Sequence, residues 1–347
     1  MDEQEQSGNS AAPPVKLRVG VTCNIKKHII NDPPDAEAEY DDIETIHSIK
    51  SALEGINCAV DLYEANESLP ARLIDNKPDI IFNIAEGTSG RGREAHVPAI
   101  LNYFAIPFTG SDETTMCIAL DKILTKKFLS YHHIPTPKYS VVKSIDHINV
   151  RGLNFPVIIK PAAEGSGKGI SDLSVVYDIA GLHKALERGF ADYKQEMLVE
   201  EYISGREFTV GILGNGLRAQ AFTPMEIVFR DKEKSVYNYE IKKHFKDYVD
   251  YKCPPDLDER TQNILIRLAL RIYDILACKD LARIDFRMDA QGRFYFIEIN
   301  PLPGLAAGYS DFPILADLCG VGYNELIQKI LNCALERYGL SPARQHK

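Results

Sequence analysis

The sequence predicts an α/β fold in which short buried strands alternate with amphipathic helices. The first observation is this alternation itself, which is typical of an open parallel sheet covered by helices. The second is the length of 347 residues, which at about 100–200 residues per domain suggests two or three domains. The third is a composition of 45% hydrophobic and 26% charged residues. This composition is ordinary for a globular protein and argues against a disordered chain.

The first unit is expected at residues 15–114, after a polar tail at residues 1–14 that is predicted to be disordered. Its strands are expected at residues 17–24, 58–65 and 78–85, with a short helix at 68–76. A longer helix between the first two strands carries apolar residues on one face. These residues are Ile43, Ile46, Ile49 and Leu53. Ligands of such sheets bind beyond the carboxyl ends of the strands, where the glycine- and arginine-rich segment 85–95 follows the third strand.

The second unit is expected at residues 115–213 and begins with one long helix at residues 115–132. Two prolines mark residues 133–142 as a connection. The remaining elements are strands at 155–161, 170–177, 197–203 and 206–213, and a helix at 179–188.

The third unit is expected at residues 214–347. It contains a polar loop at 231–250 and helices at 260–276 and 324–338. Two strands are expected at residues 281–289 and 293–300. The sequence D-A-Q-G connects them and is typical of a hairpin turn.

The charge balance limits the classes of partner. The formal net charge of −9 argues against nucleic acid, which needs a basic surface. The apolar runs are far shorter than the ~20 residues that cross a bilayer, and the first residues lack the pattern of a signal peptide. Seven cysteines occur singly and form no C-x-x-C pair, which fits reduced thiols. We therefore expect a cytoplasmic protein without a nucleic-acid or membrane partner.

A glycine-rich segment, K-P-A-A-E-G-S-G-K-G at residues 160–169, follows an apolar strand directly. Successive backbone amides in such a loop can surround phosphate, and Lys160 would add a fixed positive charge. The order of residues is not that of a Walker A loop. The alternative is a plain glycine turn between strands. Lys122, in the long helix, is a second candidate for phosphate binding, although alone it would be a surface lysine.

Three oxygen-bearing side chains, those of Asp285, Glu298 and Asn300, lie on the two strands of the predicted hairpin. Side chains two apart share one face of a strand, and the hairpin can place the aspartate opposite them. Hard oxygen ligands of this kind suit Mg²⁺. The alternative is a solvated acidic face on an edge hairpin.

Together, these segments resemble the ATP-grasp superfamily and, within it, the D-alanine–D-alanine ligases. The matching motifs are F-T-G-S (108–111), A-L-D-K-x-x-T-K (119–126), I-K-P-A-A-E-G-S-G-K-G (159–169), E-E-Y-I-S-G-R-E-F-T-V (200–210), A-R-I-D (282–285) and E-I-N-P-L-P-G (298–304). The resemblance extends in order from Leu17 to Tyr338. It implies an N-terminal open parallel α/β domain followed by two α+β subdomains that sandwich ATP. It also implies a carboxylate–amine ligase, small-molecule carboxylate and amino-acid substrates, and a homodimer.

The resemblance implies an ATP site and a site for one or two Mg²⁺ ions. The nucleotide-binding residues would be Lys122, Lys160, Glu164, Gly165, Ser166, Gly167, Gly169, Glu200, Tyr202, Ile203, Glu207 and Lys242. The three lysines would hold phosphates and residues 164–169 would close over them. Glu200 would face the adenine amino group, with the backbone near Tyr202 and Ile203 beside it, and Glu207 would bind the ribose. The metal ligands would be Asp285, Glu298 and Asn300.

The resemblance further implies an acylphosphate mechanism. A donor carboxylate attacks the γ-phosphate of ATP, and an amine then attacks the acyl carbon. Arg283 and the backbone of Gly304 would stabilise the tetrahedral intermediate, and Ser166 in the covering loop is grouped with these catalytic residues. Ser310 would receive the carboxylate of the incoming amino acid.

The departures from the family pattern fall on the donor side. The family's G-G-x-S-x-E is replaced by G-V-T-C-N-I-K-K at residues 20–27, which contains no carboxylate. Four further donor-side residues are unusual, namely Glu86, Arg91, Arg93 and Lys243. The added cations suggest a donor that is more anionic or larger than D-alanine, or that lacks a free α-amine. Two alternatives stay open: an authentic D-alanine–D-alanine ligase that uses substitutes such as Glu86, and a noncatalytic ATP-binding sensor.

Overall fold

The fold contains a parallel sheet and two antiparallel sheets with helices packed against them. The computed structural model describes residues 16–27, 37–165, 167–168, 174–230 and 244–343. The α/β class predicted from the sequence is confirmed. The predicted tail at residues 1–14 lies outside the described residues.

The first sheet is parallel and has the order β2-β1-β3. Its strands are β1 (Leu17–Cys23), β2 (Cys58–Glu64) and β3 (Ile80–Asn83). Its helices are α1 (Ile43–Glu54), α2 (Leu69–Asp75) and α3 (His96–Tyr103). All three predicted strands are present, but α3 was not predicted. The loop from β3 to α3 begins at the carboxyl end of β3, which is the edge of the sheet where ligands of such folds bind.

Helix α1 packs on the first sheet through Ile46, Ile49 and Leu53, which are fully buried. Their spacing of three and four residues places them on one face of the helix. The sequence also assigned Ile43 to this face, but that residue is 39% exposed. It is the first residue of the helix, at the end of the buried face.

The second sheet is antiparallel and has the order β4-β7-β5-β6. Its strands are β4 (Tyr139–Val142), β5 (Val157–Pro161), β6 (Val175–Val176) and β7 (Met197–Glu201), with α6 (Ile179–Tyr193) beside them. Strand β4 occupies part of the segment that the sequence assigned to a connection. The proline-rich part of that segment precedes the strand, which explains why the prolines did not prevent it.

The long helix predicted at 115–132 is two helices, α4 (Glu113–Leu120) and α5 (Lys122–Tyr131). The chain turns at Asp121, whose backbone is extended. The carboxylate of Asp121 accepts a hydrogen bond from the backbone N–H of Leu124 at 2.9 Å and thereby begins α5. The backbone N–H of Lys122 donates to the carbonyl of Ala162 at 2.9 Å. This break places Lys122 at the start of α5, facing β5.

The third sheet is antiparallel and follows the order β11-β10-β8-β12-β13, with β9 beside β8. Its strands are β8 (Arg206–Leu213), β9 (Gln220–Ala221), β10 (Met225–Phe229), β11 (Val249–Lys252), β12 (Leu281–Met288) and β13 (Phe294–Asn300). The helices after β10 are α7 (Phe245–Tyr248), α8 (Glu259–Ile275), α9 (Asp311–Leu318) and α10 (Tyr323–Arg337). The predicted hairpin is confirmed, since β12 pairs directly with β13. Helix α9 was not predicted.

The C-terminal helix α10 returns to the first sheet. Leu326, Ile327 and Ile330 belong to the same hydrophobic core as Val19 and Ile46. Strand β8, which the sequence analysis assigned to the second unit, pairs with β12 of the third sheet.

The division at residues 15–114, 115–213 and 214–347 stays a prediction. Among the described residues, no helix combines the length and apolarity that a bilayer crossing requires.

Candidate active site

Three neighbouring cavities are lined by residues of the sheets and of the loops beside them. A cavity of about 140 Å³ is lined by the start of α5, the β12–β13 hairpin, the loop after β3 and residues 301–311. A second cavity, of about 60 Å³, lies beside β5, β7 and β12. A third, of about 570 Å³, lies beside residues 87–91 and 193–196. We call these the central, adenine-side and outer cavities.

The predicted metal ligands converge on the hairpin. Asp285 pairs with Glu298 across β12 and β13, and Asn300 is two residues further along β13. The carboxylate of Asp285 accepts hydrogen bonds from Thr209 Oγ1 at 2.6 Å and from Asn300 Nδ2 at 3.4 Å. The set offers hard oxygen donors on adjacent strands at a cavity wall, so these residues fit Mg²⁺.

Arg283 lies directly beside the predicted metal ligands. Its Nε and Nη2 atoms lie 3.0 and 2.9 Å from Oδ1 and Oδ2 of Asp285, and Nη1 lies 3.7 Å from Asp311. Burial by itself lowers the pKa of Arg283, but the two carboxylates outweigh it and raise that pKa above its ordinary value. Arg283 is therefore a permanent cation in the central cavity.

Gly304 and Ser310 face each other in the same cavity. A side-chain carbon at Gly304 would lie 2.8 Å from Ser310 Oγ, so a larger residue there would displace this hydroxyl group. The hydroxyl oxygen of Ser310 accepts a hydrogen bond from the backbone N–H of Ala306 at 3.2 Å. The structure thus brings Arg283, Gly304 and Ser310 together, as the resemblance implies.

The two predicted phosphate-binding lysines both lie at the cavities. Lys160 Nζ is 2.9 Å from Oε2 of Glu200. Lys122 Nζ donates to the carbonyl oxygen of Glu164 and is 3.9 Å from Glu298. Lys126, which the sequence analysis did not single out, forms an ion pair with the other oxygen atom of Glu200. The spacing of four residues between Lys122 and Lys126 was the available signal, because it places both on one helical face.

Glu200 is 1% exposed and lies between Lys126 and Lys160. Burial raises the pKa of Glu200, but the two ammonium groups outweigh that effect and lower it below its ordinary value. The carboxylate lines the adenine-side cavity but faces the lysines. Its predicted contact with the adenine amino group therefore stays a prediction.

The adenine-side cavity is lined by Tyr202, Ile203 and Glu207, as predicted. The guanidinium of Arg287 lies 4.7 Å from the centre of the Tyr202 ring and 3.7 Å from Glu207. The backbone N–H of Tyr202 donates to the carbonyl of Pro156 at 2.9 Å. Because this N–H is engaged within the sheet, the backbone at Ile203 is the better candidate for the adenine edge.

The glycine-rich loop is partly described. Glu164 lies 2.8 Å from Lys168 Nζ, and Gly165 N–H donates to Glu39 Oε1 at 2.7 Å. Gly167 lines the adenine-side cavity. Four predicted site residues lie outside the described residues, namely Ser166, Gly169, Lys242 and Lys243.

The donor side of the central cavity differs from the expectation of a cationic lining. Arg91 forms an ion pair with Asp121. Arg93 lies 2.5 Å from Oε1 of Glu39 and 3.3 Å from Glu164. Two of the cations that the sequence assigned to the substrate, Arg91 and Arg93, thus form ion pairs with carboxylates of the protein. Their contact with a substrate stays a prediction. Glu39, 54 residues from Arg93 along the chain, carried no recognisable signal in the sequence.

Three carboxylates meet at this end of the cavity. The oxygen atoms of Glu39, Glu86 and Glu94 lie within 4.8 Å of one another. Burial, reinforced by the negative charge of Glu39, raises the pKa of Glu94 to about 8. Burial and the neighbouring Glu94 likewise hold the pKa of Glu86 well above its ordinary range. Only Glu86 was predicted, so the sequence missed the acidic character of the donor side.

Comparisons with known proteins identify the family of the chain. The family described as "D-ala D-ala ligase C-terminus" matches residues 128–332. A D-alanine–D-alanine ligase of Marinomonas sp. is 35% identical over 286 residues, which cover 81% of this chain and 86% of that protein. An uncharacterised protein of Sinorhizobium fredii is 32% identical over 259 residues, 75% of each chain.

The fold is shared with a crystal structure of D-alanine–D-alanine ligase from Bacillus anthracis complexed with ATP. The TM-score is 0.72 at 23% identity, and the match covers 93% of this chain and 99% of that chain. The family and the fold that the sequence predicts are both confirmed. The chain therefore belongs to the D-alanine–D-alanine ligase family of ATP-grasp enzymes, and it is an ATP-dependent carbon–nitrogen ligase.

Proposed function

We propose that this ligase activates a carboxylate donor other than plain D-alanine and joins it to the amine of an amino-acid acceptor. The donor carboxylate first takes the γ-phosphoryl group of ATP, because a free carboxylate is a poor acyl donor. The acceptor amine then attacks the acyl carbon of the acylphosphate, and phosphate leaves. The product is a peptide-like bond.

The described residues have distinct parts in this scheme. Lys122 and Lys160 would offset the negative charge of the phosphates. Asp285, Glu298 and Asn300 would hold Mg²⁺, which supplies further charge neutralisation when bound. Arg283 would stabilise the oxyanion that forms when the amine attacks, because its neighbouring carboxylates hold its pKa above the ordinary value and it stays charged.

The proposal that the donor is not plain D-alanine rests on the residues at the donor side of the central cavity. D-alanine offers one ammonium group and one methyl group beyond its carboxylate. The donor side instead presents three carboxylates, and Glu39 and Glu164 also line the outer cavity of about 570 Å³. That volume lies in the ~300–1,000 Å³ range of small-molecule sites. A donor that carries a further polar group could place that group near the three carboxylates and extend into the outer cavity.

An authentic D-alanine–D-alanine ligase is the second candidate. A carboxylate such as that of Glu86 can bind an ammonium group, so it could take over from the missing glutamate of the family motif. The 35% identity to the Marinomonas ligase also favours this reading.

A phosphate-release screen separates the two candidates. Purified protein with ATP and Mg²⁺ would be offered pairs of carboxylates and amines, including D- and L-amino acids, with an Asp285→Asn variant as the blank for contaminating ATPases. We expect D-alanine alone to release little phosphate, and another donor with an amino-acid acceptor to release much more. Full stimulation by D-alanine alone would rule out the proposed donor. The cytoplasmic location and the homodimer stay predictions.

A further inference from the structure

Two of the seven cysteines lie side by side next to the third sheet. Cys253 directly follows β11, and Cys319 directly follows α9. Their sulfur atoms are 3.6 Å apart, and both side chains are half-buried. Because 66 positions separate the two residues along the chain, their spacing in the sequence carries no signal of the pair.

Both sulfur atoms also face the carbonyl group of Thr223. Its oxygen atom lies 3.6 Å from Cys253 Sγ and 3.9 Å from Cys319 Sγ. A thiol is a weak hydrogen-bond donor, so these contacts place the sulfur atoms beside each other without holding either of them strongly. In a disulfide bond the sulfur atoms are about 2.05 Å apart, so this pair needs a relative movement of only about 1.5 Å.

The pair lies between two elements that reach the central cavity. Strand β11 is at the edge of the third sheet and is paired with β10 on one side. Helix α9 begins with Asp311, whose carboxylate accepts a hydrogen bond from the hydroxyl group of Tyr251 in β11 at 2.9 Å. Asp311 also lies 3.7 Å from Arg283. A covalent bond between Cys253 and Cys319 would therefore fix an edge strand against the helix that begins beside Arg283.

We propose that Cys253 and Cys319 form a reversible disulfide bond, which joins β11 to α9 and makes turnover of the ligase sensitive to hydroperoxides. In the cytoplasmic location expected for this chain, disulfide bonds are usually transient and act in catalysis or redox sensing. The bond forms without any substrate, so its detection does not depend on the identity of the donor.

The reaction needs a two-electron oxidant, and hydrogen peroxide is small enough to reach half-buried sulfur atoms. Burial, reinforced by the neighbouring Cys319, raises the pKa of Cys253 to about 12. Almost no Cys253 is therefore thiolate near pH 7, and the first attack is made by Cys319. Its thiolate attacks one peroxide oxygen, the O–O bond breaks, and the hydroxide that leaves takes up a proton. The products are water and the sulfenic acid of Cys319.

The second step forms the bond between the two sulfur atoms. The sulfur atom of Cys253 attacks the sulfur atom of the sulfenic acid, and the S–O bond breaks. The proton of Cys253 leaves with the departing hydroxide as a second water molecule. Two thiols and one peroxide thus give one disulfide and two water molecules. A reducing thiol reverses the change by thiol–disulfide exchange.

Metal binding is the alternative use of two neighbouring thiols. Structural zinc sites take four ligands, which are drawn from cysteine, histidine and carboxylate side chains. Within the described ranges, the one convergent group of three or more such side chains is Glu39, Glu86 and Glu94, and it contains neither cysteine. The pair is therefore short of ligands for zinc, whereas a disulfide needs only the two thiols and an oxidant.

The first test is chemical and uses the full chain. Wild type, Cys253→Ser, Cys319→Ser and the control Cys117→Ser, which removes an exposed thiol, are reduced and then incubated with or without hydrogen peroxide. Remaining thiols are alkylated before digestion and peptide mass spectrometry. We expect a Cys253–Cys319 link in peroxide-treated wild type and control, and its loss on treatment with dithiothreitol. If peroxide left the pair unlinked, or carried Cys319 on to the sulfinic acid, the proposal would be overturned.

The second test measures whether the bond fixes β11. Hydrogen exchange at the amides of residues 249–253 should slow by about tenfold or more in the linked protein. The melting temperature should rise by at least about 2 °C, because the link closes a long loop of the unfolded chain. Neither change should occur in Cys319→Ser after the same treatment. Unchanged exchange in protein that carries the link would contradict the fixation of the strand.

Turnover is the third readout, with the substrate pair found in the phosphate-release screen. We expect linked wild type to lose at least about threefold in kcat, since movements of loops and helices at a site set many turnover rates. Reduction should restore kcat, and Cys253→Ser and Cys319→Ser should not respond to peroxide. Equal kcat in the linked and reduced forms, or an equal loss in Cys319→Ser, would overturn the redox control. A linked protein whose reduced form releases no phosphate with any pair would refute the proposed function and still support the disulfide.

Discussion

Lys160 Nζ lies 2.9 Å from Oε2 of Glu200, a carboxylate that is 1% exposed. Lys126, also 1% exposed, completes the arrangement from α5. Two cations therefore share one anion between the second sheet and α5. If Lys160 binds a phosphate group as predicted, that group would meet a local excess of positive charge, although the net charge of the whole protein is −9.

Replacing Lys126 tests this arrangement. Lys126→Met keeps most of the apolar part of the side chain but leaves Glu200 with one cation. Because loss of one partner of a buried ion pair costs about 3–5 kcal/mol and Lys160 compensates in part, we expect a loss of about 2–4 kcal/mol of unfolding free energy in urea. Lys127→Met is the matched control, since Lys127 is exposed, and should change stability by less than about 0.5 kcal/mol. Equal stability of the two variants would contradict the role of Lys126.

Arg283→Ala tests the predicted stabilisation of the intermediate. Removal of one such donor typically costs about 10²–10³ in kcat, and we expect a loss of that size with the active substrate pair. Binding of ATP should change by less than about threefold, because the phosphate-binding lysines remain. Arg267→Ala, on the exposed face of α8, is the control. A variant that lost turnover yet functioned normally in cells would instead favour the noncatalytic sensor.

Asp285→Asn tests the metal site. The variant keeps the shape of the side chain but removes the charge that faces Arg283 and Asn300. We expect Mg²⁺ to strengthen ATP binding in wild type and to have at least about tenfold less effect in the variant. Calorimetric titration with ATP, with and without Mg²⁺, measures this difference. Asp274→Asn, at an exposed position of α8, should behave as wild type.

Glu207 provides a test of the adenine-side cavity. If its carboxylate binds the ribose hydroxyls, wild type should prefer ATP to 2′-deoxy-ATP, because the deoxy nucleotide lacks one of the hydroxyl groups that would donate to this carboxylate. Glu207→Gln should weaken ATP binding by about tenfold and reduce the preference between the two nucleotides. An unchanged preference would place the ribose elsewhere.

The parts of the fold that depend on local pattern were predictable from the sequence. The β12–β13 hairpin followed from its turn residues and from the placement of Asp285 opposite Glu298, and the structure has this pairing. The helix break at Asp121 was not predictable, because the apolar spacing continues through it. Only the buried carboxylate that accepts the N–H of Leu124 explains it.

The candidate site divides in the same way. Lys122, Lys160, Arg283 and the three metal ligands lie in short motifs, so the resemblance to the family could assign each of them an expected role. The donor side depends on contacts between distant segments. Arg93 looked like a free cation until the fold placed Glu39 beside it. A charge count along the sequence cannot show which charges cancel, and for this reason the acidic character of the donor side was missed.

The acidic donor side also predicts how stability depends on pH. The pKa of Glu94 is about 8 in the folded protein, against an ordinary value of 4.5. Between these values the folded protein holds a proton that the unfolded chain has lost, so protonation stabilises the fold. This contribution is complete below pH 4.5 and disappears as the pH rises through about 8. Wild type without substrate should therefore melt at a lower temperature at pH 8.5 than at pH 6.

Glu94→Gln should abolish much of this dependence, because glutamine imitates the protonated acid at every pH. At pH 8.5 we expect the variant to melt at least about 2 °C above wild type, and at pH 5 the two should agree within about 1 °C. Differential scanning calorimetry measures both. Glu44→Gln should follow wild type throughout. If Glu94→Gln instead melted below wild type at pH 8.5, the carboxylate of Glu94 would be stabilised by a cationic partner within the protein, and the raised pKa would be contradicted.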